Sequence, residues 1–349
     1  MKLNWIFLFI IVIVCAGWGF NQKKANGYRQ VKCSYIRSYN QIQILAGGKH
    51  FTTLIYNTTF HLPRNTVLTR PILYPVYSPS QIRMQRQFSL KMVKGESRDE
   101  PHQVGIFFGY GSNNEVNGNS FWAYHPEGDQ TRVEQEAVTE LKEKHGDVIV
   151  GTRNHWIGSN GNLVLIEDRT MKFSANKSQR AIDFTFDLKA PDQKVVFKDT
   201  KEGMFAIRVA DWLAESSHGK PNPPLLEKHT GKYLNSEGDT TSQNVWGKRA
   251  KWVRLEGHHK GKTVGIIIMN HPSSVNYPTF WHARDYGLFA ADPLGQSVFQ
   301  KAQGVVPQLL NYTIPAGDSA LFKFKMIIYE GHRTAAQINK DFQEYRSSK

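Results

Sequence analysis

SALFKFKMIIY, residues 319–329, decides the fold: apolar side chains fall at every second position from Ala320 to Ile328, with Lys323 and Lys325 between them. A period of two puts one side of a strand into a core and the other toward solvent. Working outward, alternating or β-rich runs recur at 51–56, 66–73, 104–108, 163–167, 181–188, 195–198, 204–209 and 264–270. Turn-forming clusters punctuate them, GYGSNNEVNGN at 109–119, GSNGN at 158–162 and PAGD at 315–318. This many strands predict an all-β chain folded as a large antiparallel β-sandwich. Two accessory helices are expected. One spans 131–145 (TRVEQEAVTELKEKH), with Gly146 as its stop. The other starts at Thr334, has Gln337 as a capping-box partner, and runs toward Tyr345. The polar segment 211–247, carrying His218, His229, Tyr233 and Trp246, reads as a cleft-lining loop.

Lys2, the apolar run 5–16 and the small residues Gly17 and Gly19 read as a signal peptide over 1–19. The run is too short for a membrane span, and a lipid anchor at Cys15 is the alternative. Residues 20–349 then form a single large β-sandwich domain, catalytic or binding, in the periplasm or outside the cell. Cleavage leaves Cys33 alone, so stability has to come from the core rather than a disulfide. The 349 residues carry a formal charge of +14. Outside the cytoplasm that field points away from nucleic acid and toward an anionic polysaccharide or cell surface, with a solubilising surface bias as the alternative. No HExxH, paired CxxC, P-loop, dinucleotide fingerprint or lipase-type GxSxG occurs in a convincing context, and no cofactor is expected. The oligomeric state stays open.

The stretch YPTFWHARDYGLFAADP, 277–293, is a poor helix because Pro278 and Pro293 flank it. It is also a poor buried strand, because His282, Arg284 and Asp285 are hard to hide side by side. Flat rings beside charged groups suit a sugar-binding cleft. A structural corner with Arg284 paired to Asp285 is the other reading.

Several blocks together resemble the PmoA-like family of secreted bacterial proteins. These are TRPILYP (69–75), EPHQVGIFF (100–108), VNGNSFW (116–122), DTKEGMFAIRVADWL (199–213) and HPSSVNYPTFWHARDYGLFAADPLG (271–295). The resemblance covers most of the chain after residue 19. It implies a β-sandwich of the galactose-mutarotase-like supersandwich kind and a part in saccharide breakdown. A closer similarity is to oligosaccharide dehydratases acting on ulvan, an anionic sulfated polysaccharide. Where the family shows His-Pro-His-His, this chain has Glu100-Pro101-His102-Gln103. A metal site built on that cluster is therefore not expected, and Glu100 stays open as a ligand or base.

Elimination beside a uronate carboxylate needs a base, a cation or donor for the developing enolate, and an acid for the leaving oxygen. Arg208 and Arg284, with Arg70 as a third, are the candidate stabilisers, because guanidinium binds carboxylate or sulfate in a fork. Salt bridges such as Arg208 with Asp211 are the structural alternative. For acid or base the candidates are His102, His271, His282, Tyr277 and Tyr286. His102 is taken first as base, and Tyr286 or His282 as acid. Glu100, Asp211 and Asp285 keep a hydrolytic carboxylate pair open. Trp122, Trp212, Trp246 and Trp281 are the residues able to stack on sugar rings. The expected catalytic set is thus His102, Tyr286, His282, Arg208 and Arg284. The expected substrate-binding set is Arg70, Glu100, Trp122, His271, Tyr277, Trp281 and Asp285. The expected function is a hydro-lyase removing water from oligosaccharides of an acidic polysaccharide, with a non-catalytic saccharide-binding protein or a glycoside hydrolase as alternatives.

Overall fold

A computed structural model describes residues 30–217 and 225–347. The expected signal segment with Cys15, and His218, lie outside the described residues. Two eight-stranded sheets dominate. In spatial order the first is Cys33–Ser38, Gln41–Ala46, Lys49–Ile55, Ile72–Val76, Ile106–Tyr110, Gly203–Arg208, Leu288–Asp292 and Phe280–Ala283. The second is Lys232–Asn235, Trp252–His259, Lys262–Asn270, Ser319–Glu330, Gln179–Lys189, Leu163–Ala175, Asp147–Ile157 and Arg132–Lys144. Neighbouring strands pair antiparallel throughout both sheets.

The alternation read at 319–329 places the core. Phe322 and Phe324 face inward and pair across strands with Phe186 and Phe184. The first sheet answers with Phe108, stacked on Phe186 at 3.8 Å between centroids, and Phe205, stacked on Phe324 at 4.9 Å. Stacked rings of this kind add to the area that they bury. Cys33 is a buried free thiol whose burial pushes it up to about 12, so it packs as a small apolar residue.

Three expectations are corrected. Residues 131–145 are not a helix but the edge strand Arg132–Lys144, paired in a hairpin with Asp147–Ile157. Lys144 pairs with Asp147, leaving a two-residue loop in which His145 (φ 51°) and Gly146 (φ 85°) both take left-handed backbone. That is the type I′ geometry matching sheet twist, and it outweighs the helix propensity of the Glu and Lys run. Charged residues suit an edge, where they discourage further pairing.

The stretch around 280–292 is buried strand after all. Phe280–Ala283 and Leu288–Asp292 form a hairpin whose four-residue tip holds Arg284 and Asp285, while His282 is buried within the first of its strands. The segment 211–247 is largely structured, with a 3₁₀ turn at Asp211–Leu213, the strand Lys232–Asn235 and a short helix at Ser242–Val245.

The C-terminal helix Ala335–Arg346 has the expected capping box. Thr334 N–H donates to Gln337 Oε1 (2.9 Å), and the Thr334 hydroxyl accepts from Gln337 N–H (3.3 Å). Ile338, Phe342 and Tyr345 bury on the outer face of the second sheet. Another helix, Gln296–Ala302, was not anticipated.

Candidate active site

Strand parity builds the site. In Gly203–Arg208, Phe205 and Ile207 enter the inter-sheet core, so Ala206 and Arg208 face outward. The same parity sends Phe107, Leu288 and Ala290 outward beside Trp122 and Tyr286, giving the first sheet a small apolar cluster on its outer face. The hairpin tip Arg284-Asp285-Tyr286-Gly287 closes over this cluster, with Gly287 N–H donating to Arg284 O (3.1 Å). Gly287 has φ 94°, and an added Cβ would lie 2.9 Å from Val209, so the turn requires glycine.

Across that face runs a chain of charged and polar groups. Arg208, 1% exposed, donates from Nη1 to Gln103 Oε1 (2.7 Å) and from Nη2 to Asp99 (2.9 Å). Arg86 reaches the same carboxylate (2.9 Å) and donates to the Asp99 and Glu100 carbonyls (2.5 and 2.6 Å). Burial opposes ionisation of Asp99, but the two guanidinium groups win and hold its carboxyl below the usual range. Arg86 also fixes Glu100 in left-handed backbone, φ 43°, a strained position for a non-glycine residue. Glu100 lines a cavity of about 280 Å³ with Arg64, Phe88, Arg98, Asp99 and Tyr124.

His102 is buried, with Nδ1 3.7 Å from Glu100 Oε2 and its ring 5.6 Å from that of Tyr124. Burial, and then the charges of Arg70, Arg86 and Arg208, push it down to about 3, so its imidazole is neutral. Tyr286 is hydrogen-bonded to the Gln103 side chain, and its ring lies under two guanidinium groups, Arg208 at 4.7 Å and Arg284 at 5.5 Å. Burial raises its hydroxyl despite those cations, so it is a protonated phenol. In these states the imidazole has a lone pair to accept a proton and the phenol has one to give, while the cations around His102 oppose the imidazolium form.

His102, Arg208, Tyr286, Arg284 and Glu100 are therefore brought together. Arg70 lies directly behind them. It donates to the Trp122 carbonyl (2.7 Å) and the His102 carbonyl (2.5 Å), and stacks on Phe107 at 3.9 Å. It positions the His102 backbone rather than facing a ligand, and burial lowers it to about 9. Trp122 is wholly buried beneath the site, edge-on to Phe107.

Several expected residues do not join. His282 faces the same side but is sealed beneath Trp246 and Phe299, and burial lowers it to about 3. A neutral, sealed imidazole is not placed to donate a proton to a ligand. Trp281 is in the inter-sheet core, its Nε1 donating to Ala250 O (3.0 Å), so no sugar can stack on it. His271 and Tyr277 pack beside the C-terminal helix on the second sheet, His271 bonded to Ser273 Oγ (2.7 Å) and edge-on to Tyr345. Asp285 accepts from Ser216 Oγ (2.5 Å) and from Tyr286 N–H, and does not pair with Arg284. Asp211 accepts from Ser97 N–H and Oγ, so the suggested Arg208–Asp211 bridge gives way to Arg208–Asp99. Trp212 is buried against His259, whereas Trp246 is half-buried at the site's edge.

Sequence reasoning missed Arg86, Asp99 and Gln103. Gln103 was inside a quoted block, and only its bond to Arg208 reveals a role. Among the described residues, no group of three or more His, Cys, Asp or Glu is placed to hold a metal ion, and no helix is long and apolar enough to cross a membrane.

A model of a family of unknown function, DUF6807, matches residues 41–343. The chain belongs to that family. No curated protein matches the sequence of this DUF6807 member. Among solved structures it is similar to a galactose mutarotase-like protein from Clostridium acetobutylicum, at 8% identity and a TM-score of 0.41, covering 87% of this chain and 99% of that one. It is also similar to a glycoside hydrolase family 97 enzyme from Pseudoalteromonas sp. strain K8, solved with panose, at 11% identity and a TM-score of 0.30. That match covers 87% of this chain but 35% of the hydrolase. These are likenesses of fold.

Proposed function

We propose that this DUF6807 protein is an exported carbohydrate-active lyase that removes water from oligosaccharides of an anionic, uronate-containing polysaccharide, as its resemblance to ulvan oligosaccharide dehydratases implies. The observation carrying this reading is the meeting of His102, Tyr286 and two guanidinium groups on one face. In the reaction, His102 takes the proton α to the carboxylate and Tyr286 delivers its proton to the departing hydroxyl. Arg208 holds the enolate charge between those steps. One C–H and one C–O bond break, a C=C bond forms, and the product is water.

Hydrolysis is less well supported at this site. Asp99, Asp211 and Asp285 are each already engaged, which leaves Glu100 without a free carboxylate opposite it.

Purified protein is incubated with unsaturated oligosaccharides of ulvan and followed by mass spectrometry. Loss of one water mass is expected, and His102→Ala and Tyr286→Phe abolish it. Cleavage with gain of water would point to a hydrolase. An unchanged mass across acidic glycans removes the enzymatic reading and leaves the binding protein.

A further inference from the structure

We infer that Arg284 and Trp246 form a separate subsite that selects an oxyanion substituent, carboxylate or sulfate, on a sugar residue next to the one that reacts. This rests on the saccharide reading of the cleft and deepens it. The guanidinium groups of the face are not equivalent. Arg208 and Arg86 divide Asp99 between them, and Arg70 is spent on three carbonyls. Among the described residues, the Arg284 side chain meets no carboxylate and no hydrogen-bond acceptor; it is flanked by two rings, Trp246 at 5.8 Å and Tyr286 at 5.5 Å.

The acids beside it are occupied elsewhere. Asp285 is held by Ser216 Oγ at 2.5 Å, and Glu215 accepts from Tyr233 N–H (3.0 Å) and Ser242 N–H (2.7 Å). Arg284 also lines its own cavity of about 270 Å³, together with Ser242, Gln243, Trp246, Ala283 and Asp285, the last with its carboxylate held by Ser216. A fork-shaped cation flanked by rings, half-buried and without a counter-ion, is built for a planar or tetrahedral oxyanion. Trp246 offers the apolar surface on which the sugar carrying that oxyanion rests. The Tyr286 ring touches both Arg208 and Arg284, and Arg284 alone of the two lines this cavity, so the subsite adjoins the reacting centre.

The test is binding of three oligosaccharides of equal length by titration calorimetry: an oligouronate without sulfate, a sulfated chain without uronate, and an uncharged chain. Wild type is expected to favour at least one anionic chain. Arg284→Ala lowers affinity for that chain by roughly tenfold or more and leaves the uncharged chain unchanged, and Arg284→Lys recovers part of the loss. The chain whose affinity falls names the oxyanion. Equal loss for charged and uncharged chains, no loss for either anion, or no selectivity in wild type overturns the subsite. Each readout is an affinity, so the subsite can stand when no dehydration is found, and dehydration can stand when the subsite fails.

Discussion

His102 and His282 are kept uncharged by the fold, and this links stability to pH. Each falls from an ordinary value of 6.5 to about 3 on burial. Between those values the unfolded chain binds protons that the folded chain refuses, so stability is highest above about pH 6.5 and declines as pH falls. Each histidine contributes a slope of about 1.4 kcal/mol per pH unit inside that window. His282→Phe keeps a ring among Trp246 and Phe299 and removes one titrating group. Its urea-unfolding free energy should lose about that slope between about pH 6 and pH 4. Slopes identical to wild type would show that His282 charges freely in the fold.

Asp99→Asn is a sharper lesion. It leaves Arg86 and Arg208 buried side by side without their shared counter-charge, at a cost of about 3–5 kcal/mol in urea unfolding. A change under about 1 kcal/mol would mean the guanidinium groups find water instead. The residue types of this site were readable in sequence; their engagement was not. Nothing in the letters told that Arg208 was committed to Asp99 while Arg284 met no acid, because Asp99 lies 109 residues away along the chain.

Turns decide the elements that sequence misread. Gly146 is the same signal in two settings: a helix C-cap and a type I′ hairpin both ask for left-handed backbone, and glycine supplies it at either. Lys144 pairing with Asp147 settles the matter for the hairpin. Gly146→Ala should therefore cost about 1–2 kcal/mol, since its φ of 85° is expensive for any Cβ. His145→Asn, at φ 51°, should be neutral or slightly stabilising, because asparagine favours the first position of this turn. Chemical denaturation of both variants checks the pair, and a silent Gly146→Ala would refute the turn assignment. The capping box at Thr334 was legible because it is local: four residues contain all of its hydrogen bonds. The hairpin 280–292 was illegible for the opposite reason. Its strands are buried on both faces, by the core and by Trp246 with Phe299, so no alternation marks them.

At the scale of the whole molecule, the core follows from period-two runs such as 319–329, but the site needs outward positions from several strands and the irregular segment around Asp99. The charge of +14 has no such locality. If it serves capture of a polyanion, encounter should be steered over distances near the Debye length and weaken as salt screens it. The association rate for an anionic oligosaccharide should then fall by about tenfold between roughly 20 and 200 mM salt, while an uncharged chain of equal length associates at a constant rate. Arg284→Ala separates local recognition from the general field. Removing one cation of 44 leaves the salt slope of association close to wild type, so its effect should appear in the dissociation rate. Stopped-flow fluorescence reads both rates, with Trp246 at the cavity edge as the natural reporter. An association rate flat with salt would assign the excess of bases to surface solubility, and recognition of the anion would then rest on the cleft alone.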